Sequence, residues 1–336
     1  MTPPTPSGAA PEVLERAARV VGPAVQAAVG RLSPALLEPL AHHLAGAGKG
    51  VRGALVLVAA AAAGAEQTAG LGQAVGLPGA VAVELVHNYS LIHDDIMDED
   101  LERRHRPTVW AQFGIGAAII AGDALAALAT EVLLDDPTPP RVAAAAALTR
   151  ATQEMIAGQA DDLAYETRDA ISVEECQLME ARKTGALLAC SAALGPILAG
   201  APTATVSALA DFGQHLGAAF QAVDDILGIW GLPARTGKAV GNDLEQHKKS
   251  LPVVVALARA GDRRAALAGL LDGELGPAEV AAATRMIEEC GAEAETRALA
   301  DHHFGAALAA LDRADLVAGP RADLVAIANF VTERDR

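Results

Sequence analysis

The chain is poor in aromatic residues, with 5 Phe, 2 Trp and 2 Tyr among 336 positions, so large rings cannot carry its core. Hydrophobic residues still make up 51%, supplied by Ala, Leu and Val, a mix that favours closely packed helices over sheets. β-Branched alternation is almost absent, which argues further against strands. Cysteine is scarce as well. Cys176, Cys190 and Cys290 are odd in number, scattered and without metal-type spacing, and a reducing cytoplasm suits them. Basic residues are few: 26 Lys and Arg stand against 42 Asp and Glu, a net charge of −16. That balance excludes a general nucleic-acid binder, which relies on basic patches. It leaves small phosphorylated ligands open, because metal ions and a few cations reverse the sign locally. Long apolar runs are also lacking. Stretches such as 53–63 are too short and Ala-rich for a bilayer, and MTPPTPSGAAPEVLERAARVV has no basic start and apolar core. The expectation is a cytoplasmic protein without a membrane span.

Beyond a Pro-, Thr-, Ser- and Gly-rich start, which predicts a loose tail over 1–14, nearly everything reads as helix. Apolar residues recur at three- and four-residue intervals. Gly and Pro place breaks at 46–50, 76–79, 135–140, 195–203, 231–241, 271–277 and 318–321. No linker and no fixed-period repeat is visible, so residues 15–336 read as one all-α domain.

Two helical runs end in acids: ELVHNYSLIHDDIMD at 84–98 and FQAVDDILG at 220–228. Carboxylates within apolar helix are costly unless cations neutralise them. His87, Ser90 or Leu91, Asp94 and Asp98 share one helical stripe, with Asp95 beside it. Asp224 and Asp225 close the second run, and residue 228 continues their stripe. A lone DDxxD in an acidic chain reads as a solvated face. Two such runs, both preceded by apolar helix and both set against the helix dipole, read as half-filled Mg²⁺ sites awaiting a diphosphate.

The scarce cations fall where a diphosphate would need them. Lys49 and Arg52 stand in GAGKGVRG, Arg103 and Arg104 follow the first acids, Lys183 and Thr184 lie in RKTGALL, and Lys238 follows the second acids. Each alone reads as an ordinary surface cation, and Arg103–Arg104 could equally form a structural ion-pair network. His87 reads as a ligand because it shares the Asp94 stripe.

In this order the motifs resemble the trans-isoprenyl diphosphate synthases of the polyprenyl synthetase family, across roughly residues 15–336. GKGVR at 48–52 resembles the GKxxRP loop, and DDIMD at 94–98 with Arg103–Arg104 the first aspartate-rich motif. GQADD at 158–162 resembles the GQxxD helix, and KTG at 183–185 the KT motif. FQAVDD, TGK at 236–238, GND at 241–243 and KKSLP at 248–252 resemble the second aspartate-rich region.

The resemblance implies a single-domain helical bundle of isoprenoid-synthase type around a central active-site cavity, and a homodimer. It implies three Mg²⁺ held by Asp94, Asp98 and Asp224, with Asp95 and Asp225 supporting and Gln159 and Asp162 behind them. Arg103, Lys183 and Lys238 would grip the allylic diphosphate, while Lys49, Arg52, His87 and Arg104 would hold isopentenyl diphosphate. Oxygens of Lys183, Thr184 and Gln221 would steady the allylic cation, and the departed pyrophosphate would take the proton. Tyr89, five positions before Asp94, matches enzymes making the twenty-carbon geranylgeranyl diphosphate, although a helical wheel puts Ser90 on the Asp94 stripe. A twenty-carbon product is expected first and fifteen carbons second.

Three positions depart from the family pattern. Gly228 replaces the last Asp of the second motif, which is expected to weaken one metal site indirectly. Gly53 replaces the Pro after Arg52, which is expected to loosen the loop. Leu232 stands where an acid is usual. A class I terpene cyclase on the same scaffold is one rival, but NDLEQHKKS at 242–250 lacks Ser or Thr at 246 and Glu at 250. A non-catalytic partner subunit is the other, and only Gly228 points towards it.

Overall fold

The computed structural model describes residues 9–46, 48–65, 73–168, 170–231 and 241–333. Helix dominates throughout, as expected of an all-α chain, and the described residues gather into two compact units.

The first unit holds the chain up to Thr152 together with Ala189–Ala210 and Leu311–Ile327. Its α1 (Ala9–Val29) starts earlier than the predicted tail allows, since residues 9–14 are already helical. Glu12 sits in the first turn, facing the positive end of the helix, and Val13, Leu14 and Ala17 are buried, so the segment gains both from dipole and from packing. α2 (Pro34–Leu44), α3 (Val51–Ala62), α4 (Gln73–Met97), α5 (Val109–Phe113), α6 (Ile115–Leu134) and the start of α7 (Pro139–Glu166) follow. α4 is the central element, packed against α1, α3 and α6. Beyond Arg52, α3 is apolar all round, and Gly53 through Ala62 are buried.

Gly76, Pro78, Gly79 and Gly195 read as breaks in the sequence but lie inside helices. Their job is close packing. A Cβ on Gly79 would stand 2.7 Å from Leu198 Cδ1, and one on Gly195 would stand 2.3 Å from the Val56 carbonyl oxygen. Pro78, the sixth residue of α4, removes one ladder donor yet leaves the helix continuous. Continuous apolar helix is therefore longer than the sequence suggests. Ala74–Met97 and Ile115–Leu134 are long and apolar enough to cross a bilayer by length and composition, yet they pack against each other and α4 ends in carboxylates.

Strand is confined, among the described residues, to an antiparallel hairpin of β1 (Glu102–Arg103) and β2 (Arg106–Pro107). Its two turn residues, Arg104 and His105, have φ of 53° and 60°. Both left-handed values match a type I′ turn, which normally takes Asn and Gly, so this turn is strained.

The second unit comprises Gln153–Leu188, Asp211–Ala310 and the chain from Ala328. It contains the end of α7, α8 (Val173–Glu180), a π-helical turn (Ala181–Gly185), the first residues of α9 (Ala186–Leu198) and most of α10 (Thr203–Trp230). α11 (Asn242–Glu245), α12 (Leu251–Arg259), α13 (Arg264–Leu271), α14 (Pro277–Glu289), most of α15 (Ala292–Leu311) and the end of α16 (Ala318–Thr332) complete it. Ile229, Leu244, Val254, Leu267 and Ile287 lie in its core. A Ser172–Glu175 capping box starts α8, satisfying orphan N–H groups at both ends of the box.

Candidate active site

In the first unit the acids and cations named from the sequence come together. Asp94 and Asp95 lie in the last turn of α4, and Asp98 follows it, its N–H donating to the Asp94 carbonyl at 2.8 Å. Asp94 is half-buried and Asp98 exposed, whereas Asp95 is only 1% exposed. Arg103 Nε donates to Asp95 Oδ1 at 2.6 Å, while Asp95 Oδ2 is buried without a partner. Burial pushes the Asp95 carboxyl up and Arg103 pulls it back.

Arg104 turns the other way. Its Nη1 donates to the Gly46 carbonyl, and its guanidinium lies over Gly48, where a Cβ would meet Nη2 at 2.8 Å. The glycine loop thus carries Lys49, which is exposed, to the hairpin. Arg52 Nη1 stands 3.3 Å from His87 Nε2. Burial, then the charges of Arg52, Arg104 and Arg103, hold His87 well below the usual imidazole range, so it is neutral and its free lone pair can face Arg52. Tyr89 is half-buried with its ring edge-on to His93 at 5.0 Å, and Ser90 Oγ donates to the His87 carbonyl.

Gly53 does not loosen the loop as expected. It is buried in the first turn of α3, and its N–H donates to Glu84 Oε1 at 2.7 Å. A Pro there would have no N–H to offer. Sequence reading missed Glu84, although a lone acid three residues before His87 on an apolar helix was a usable signal. It also missed His43, whose Nε2 lies 3.0 Å from Asn88 Oδ1 and whose pKa burial lowers to about 4.

In the second unit a continuous hydrogen-bond chain links the KT motif to the second acids. Thr184 Oγ1 donates to Gln221 Oε1, and Gln221 Nε2 donates to Asp225 Oδ1, both at 2.8 Å. The Leu251 N–H donates to Asp225 Oδ2, also at 2.8 Å. Lys183 Nζ meets Asp162 at 2.5 Å, and Arg182 meets Asp161 at 3.0 Å. Both cations sit in the π-turn, a widened ladder common at functional sites, in which the Ala186 N–H reaches back to the Ala181 carbonyl. Two glycines grip the turn. A Cβ on Gly158 would lie 2.3 Å from Lys183 N, and one on Gly217 would lie 2.7 Å from Gly185 Cα. Gln159 beside Gly158 is buried with both amide atoms unpartnered.

Asp224 is exposed on α10 and Asp225 is buried. Burial raises Asp225 to about 6, against the pull of the Leu251 N–H and Gln221. Glu180, absent from the sequence reading, is buried beside it. Burial first, then the charge of Asp225, pushes Glu180 well above the carboxylate range, so Glu180 holds the shared proton and donates it to Asp225. No spacing rule could have announced that pair, which joins α8 to α10. Lys238 and Leu232 lie outside the described residues.

The donors present fit Mg²⁺. They are hard carboxylate oxygens, and in the first unit one of them, Asp95 Oδ2, is buried and unpartnered.

The chain matches the Polyprenyl synthetase family model over residues 33–288. It is 42% identical to the (2E,6E)-farnesyl diphosphate synthase of Mycobacterium bovis, with 96% of this chain and 92% of that one covered. It is 39% identical to the geranylgeranyl diphosphate synthase of Mycobacterium tuberculosis, with 96% and 93% covered. Among solved structures, the polyprenyl synthetase from Streptomyces coelicolor A3(2) matches with a TM-score of 0.91 at 45% identity, covering 96% of this chain and 99% of that one. These are synthases with the same all-α fold, so neither the cyclase nor the partner-subunit alternative is favoured. Motif order, helical architecture and similarity along nearly the whole length converge: the chain belongs to the polyprenyl synthetase family and is a prenyltransferase of the short-chain prenyl diphosphate class.

Proposed function

We propose that the protein condenses isopentenyl diphosphate head to tail with an allylic diphosphate to give all-trans geranylgeranyl diphosphate. The convergence of Arg52, neutral His87 and Arg104 around the Lys49 loop carries this reading, because it is a cluster of cations not spent on pairing Asp94 and Asp98. A second diphosphate needs such a site, and an enzyme that only ionises one does not.

Asp94, Asp98 and Asp224 would supply the carboxylates for three Mg²⁺, with Asp95 and Asp225 supporting them. Bound Mg²⁺ would neutralise the allylic diphosphate and stabilise its leaving oxygen. Arg103, Lys183 and Lys238 grip that same diphosphate. The oxygens of Thr184 and Gln221, already tied to each other, and the carbonyl of Lys183 in the π-turn would steady the positive carbon. Lys49, Arg52, His87 and Arg104 hold isopentenyl diphosphate so that its double bond attacks, and the departed pyrophosphate takes the proton.

Tyr89 supports the twenty-carbon product as the floor of the chain pocket. The 42% identity to a farnesyl diphosphate synthase supports fifteen carbons as the second reading. We propose a cytoplasmic location, which the three free thiols suit, and a homodimer built on the exposed apolar face of α6.

Incubation with Mg²⁺, isopentenyl diphosphate and each of dimethylallyl, geranyl and farnesyl diphosphate, followed by mass spectrometry, tests the whole reading. A twenty-carbon diphosphate from all three primers is the expected result, and Tyr89→Ala should lengthen it. A cyclic hydrocarbon from geranylgeranyl diphosphate alone would replace the reading with the cyclase. An unaltered product from Tyr89→Ala would remove Tyr89 from the floor.

A further inference from the structure

His42, in the last turn of α2, grips the hairpin that carries Arg103 and Arg104. Its Nε2 lies 2.8 Å from the Pro107 carbonyl oxygen on β2. Its Nδ1 lies 3.3 Å from Arg106 Nη2, on the same strand. A carbonyl can only accept and a guanidinium can only donate, so Nε2 carries the hydrogen and Nδ1 offers its lone pair. Both ring nitrogens are thus committed to β2, and the ring stands edge-on to Phe113 with centroids 5.4 Å apart.

The hairpin needs such a hold. Glu102 pairs with Pro107 and Arg103 with Arg106, a ladder too short to fix the turn by itself. Between them Arg104 and His105 are left-handed, a conformation that persists only where surrounding contacts over-determine it. Thr108 Oγ1 and Trp110 Nε1 both donate to the Asp100 carbonyl at 2.8 Å, which closes the segment onto its own start. His42 ties it to α2. The Arg104 guanidinium reaches the Gly46 carbonyl just beyond α2, so α2 and the hairpin must keep one spacing for Arg104 to stay in place. His42, Arg103, Arg104 and Arg106 accordingly line one small cleft.

We propose that His42 is a positioning residue for isopentenyl diphosphate: through Pro107 and Arg106 it sets where Arg104 stands, and it touches no reacting atom itself. This rests on the diphosphate-synthase reading above. The bond to the Pro107 carbonyl is the principal hold, because it fixes backbone rather than a flexible side chain.

The test is steady-state kinetics of the full chain with Mg²⁺, saturating geranyl diphosphate and varied isopentenyl diphosphate. Geranyl diphosphate is a primer that the twenty-carbon and fifteen-carbon readings both allow. His42→Phe keeps an aromatic ring against Phe113 and removes both hydrogen bonds. It should raise KM for isopentenyl diphosphate by roughly tenfold to a hundredfold, the scale of loss when a binding group is displaced, with kcat within about threefold of wild type. A purely structural role would lower the active fraction, and with it kcat, while leaving KM in place. His42→Gln puts an amide N–H close to the position of Nε2 and should bring KM back to within about threefold of wild type. In an Arg104→Leu background, His42→Phe should add less than about threefold, because the group it positions is gone. Wild-type KM in His42→Phe would overturn the assignment. So would full additivity with Arg104→Leu, or a His42→Gln variant as impaired as His42→Phe. A wild-type protein that elongates no primer would overturn the synthase reading and this inference together. Normal elongation with an inert His42→Phe substitution would sink this inference alone.

Discussion

His43 is kept neutral by burial, and the direction of its shift fixes a pH response. Its folded pKa of about 4 lies below the 6.5 of a free imidazole, so the unfolded chain takes up the proton first as pH falls. Stability from this residue is complete above pH 6.5 and is lost progressively down to about 4, a cost of roughly 3 kcal/mol. His87, shifted in the same direction by burial and by Arg52, adds to the slope. Denaturant midpoints measured from pH 7.5 to 4.5 should show a flatter profile in His43→Gln than in wild type, and parallel profiles would refute the assignment. Asp95 makes a second case. Removing Arg103 by Arg103→Gln leaves a carboxylate 1% exposed with no cation, which should cost about 2–4 kcal/mol in chemical denaturation, discounted for the half-exposed arginine. The loss should shrink when Mg²⁺ is added, since both cations neutralise the same acid.

At the scale of elements, the π-turn Ala181–Gly185 is where local sequence and packing meet. Its sequence, ARKTG, has no residue that forbids an ordinary α-helix. The close approach of Gly158 on one side and Gly217 on the other holds the turn. Gly158→Ala would force a methyl to 2.3 Å from the Lys183 backbone nitrogen, an overpacking worth about 1–3 kcal/mol. Because the same shift moves Lys183 and Thr184, kcat should fall at least tenfold per folded molecule. Gly195→Ala creates an equally close clash, at the Val56 carbonyl, but in the first unit and away from the KT motif. It should lower the melting temperature comparably and leave kcat per folded molecule near wild type. Equal kcat losses in the two variants would show that the π-turn has no special role. The hairpin carries its strain for an analogous reason. Two left-handed residues at 104 and 105 let neighbouring arginines diverge, Arg103 to Asp95 and Arg104 to the Gly46 loop.

At the scale of the whole molecule, the proposed chemistry requires both acidic motifs to serve one diphosphate. Asp94→Asn and Asp224→Asn should each reduce kcat/KM by about a thousandfold, comparable to removing a major source of transition-state charge stabilisation. If they share a ligand, the double variant should lose far less than the product of the two. Full additivity would mean independent sites. Ile115, Ile119 and Ile120 leave an exposed apolar face on α6, so Ile119→Glu with Ile120→Lys should convert the proposed dimer to a monomer in light scattering, and an unchanged mass would refute this face as the interface.

Helical class, the two acidic runs and the KT motif were legible in the chain because each is a local pattern. An α-helix repeats every 3.6 residues, so carboxylates three and four apart declare their common face without any knowledge of the fold. Breaks were less legible. Gly79 and Gly195 look like stops in isolation, and only the side chains and carbonyls packed against them show that they are contact points. The partners were not legible at all. Glu84 meets Gly53, Glu180 meets Asp225, and Asp243 enters the space at Gly228 across chain separations that no spacing rule encodes. The sequence by itself determined which residues could bear charge on helices. Tertiary packing alone decided which of those charges are buried, paired or left for a cation, because burial and proximity depend on what the rest of the chain brings alongside.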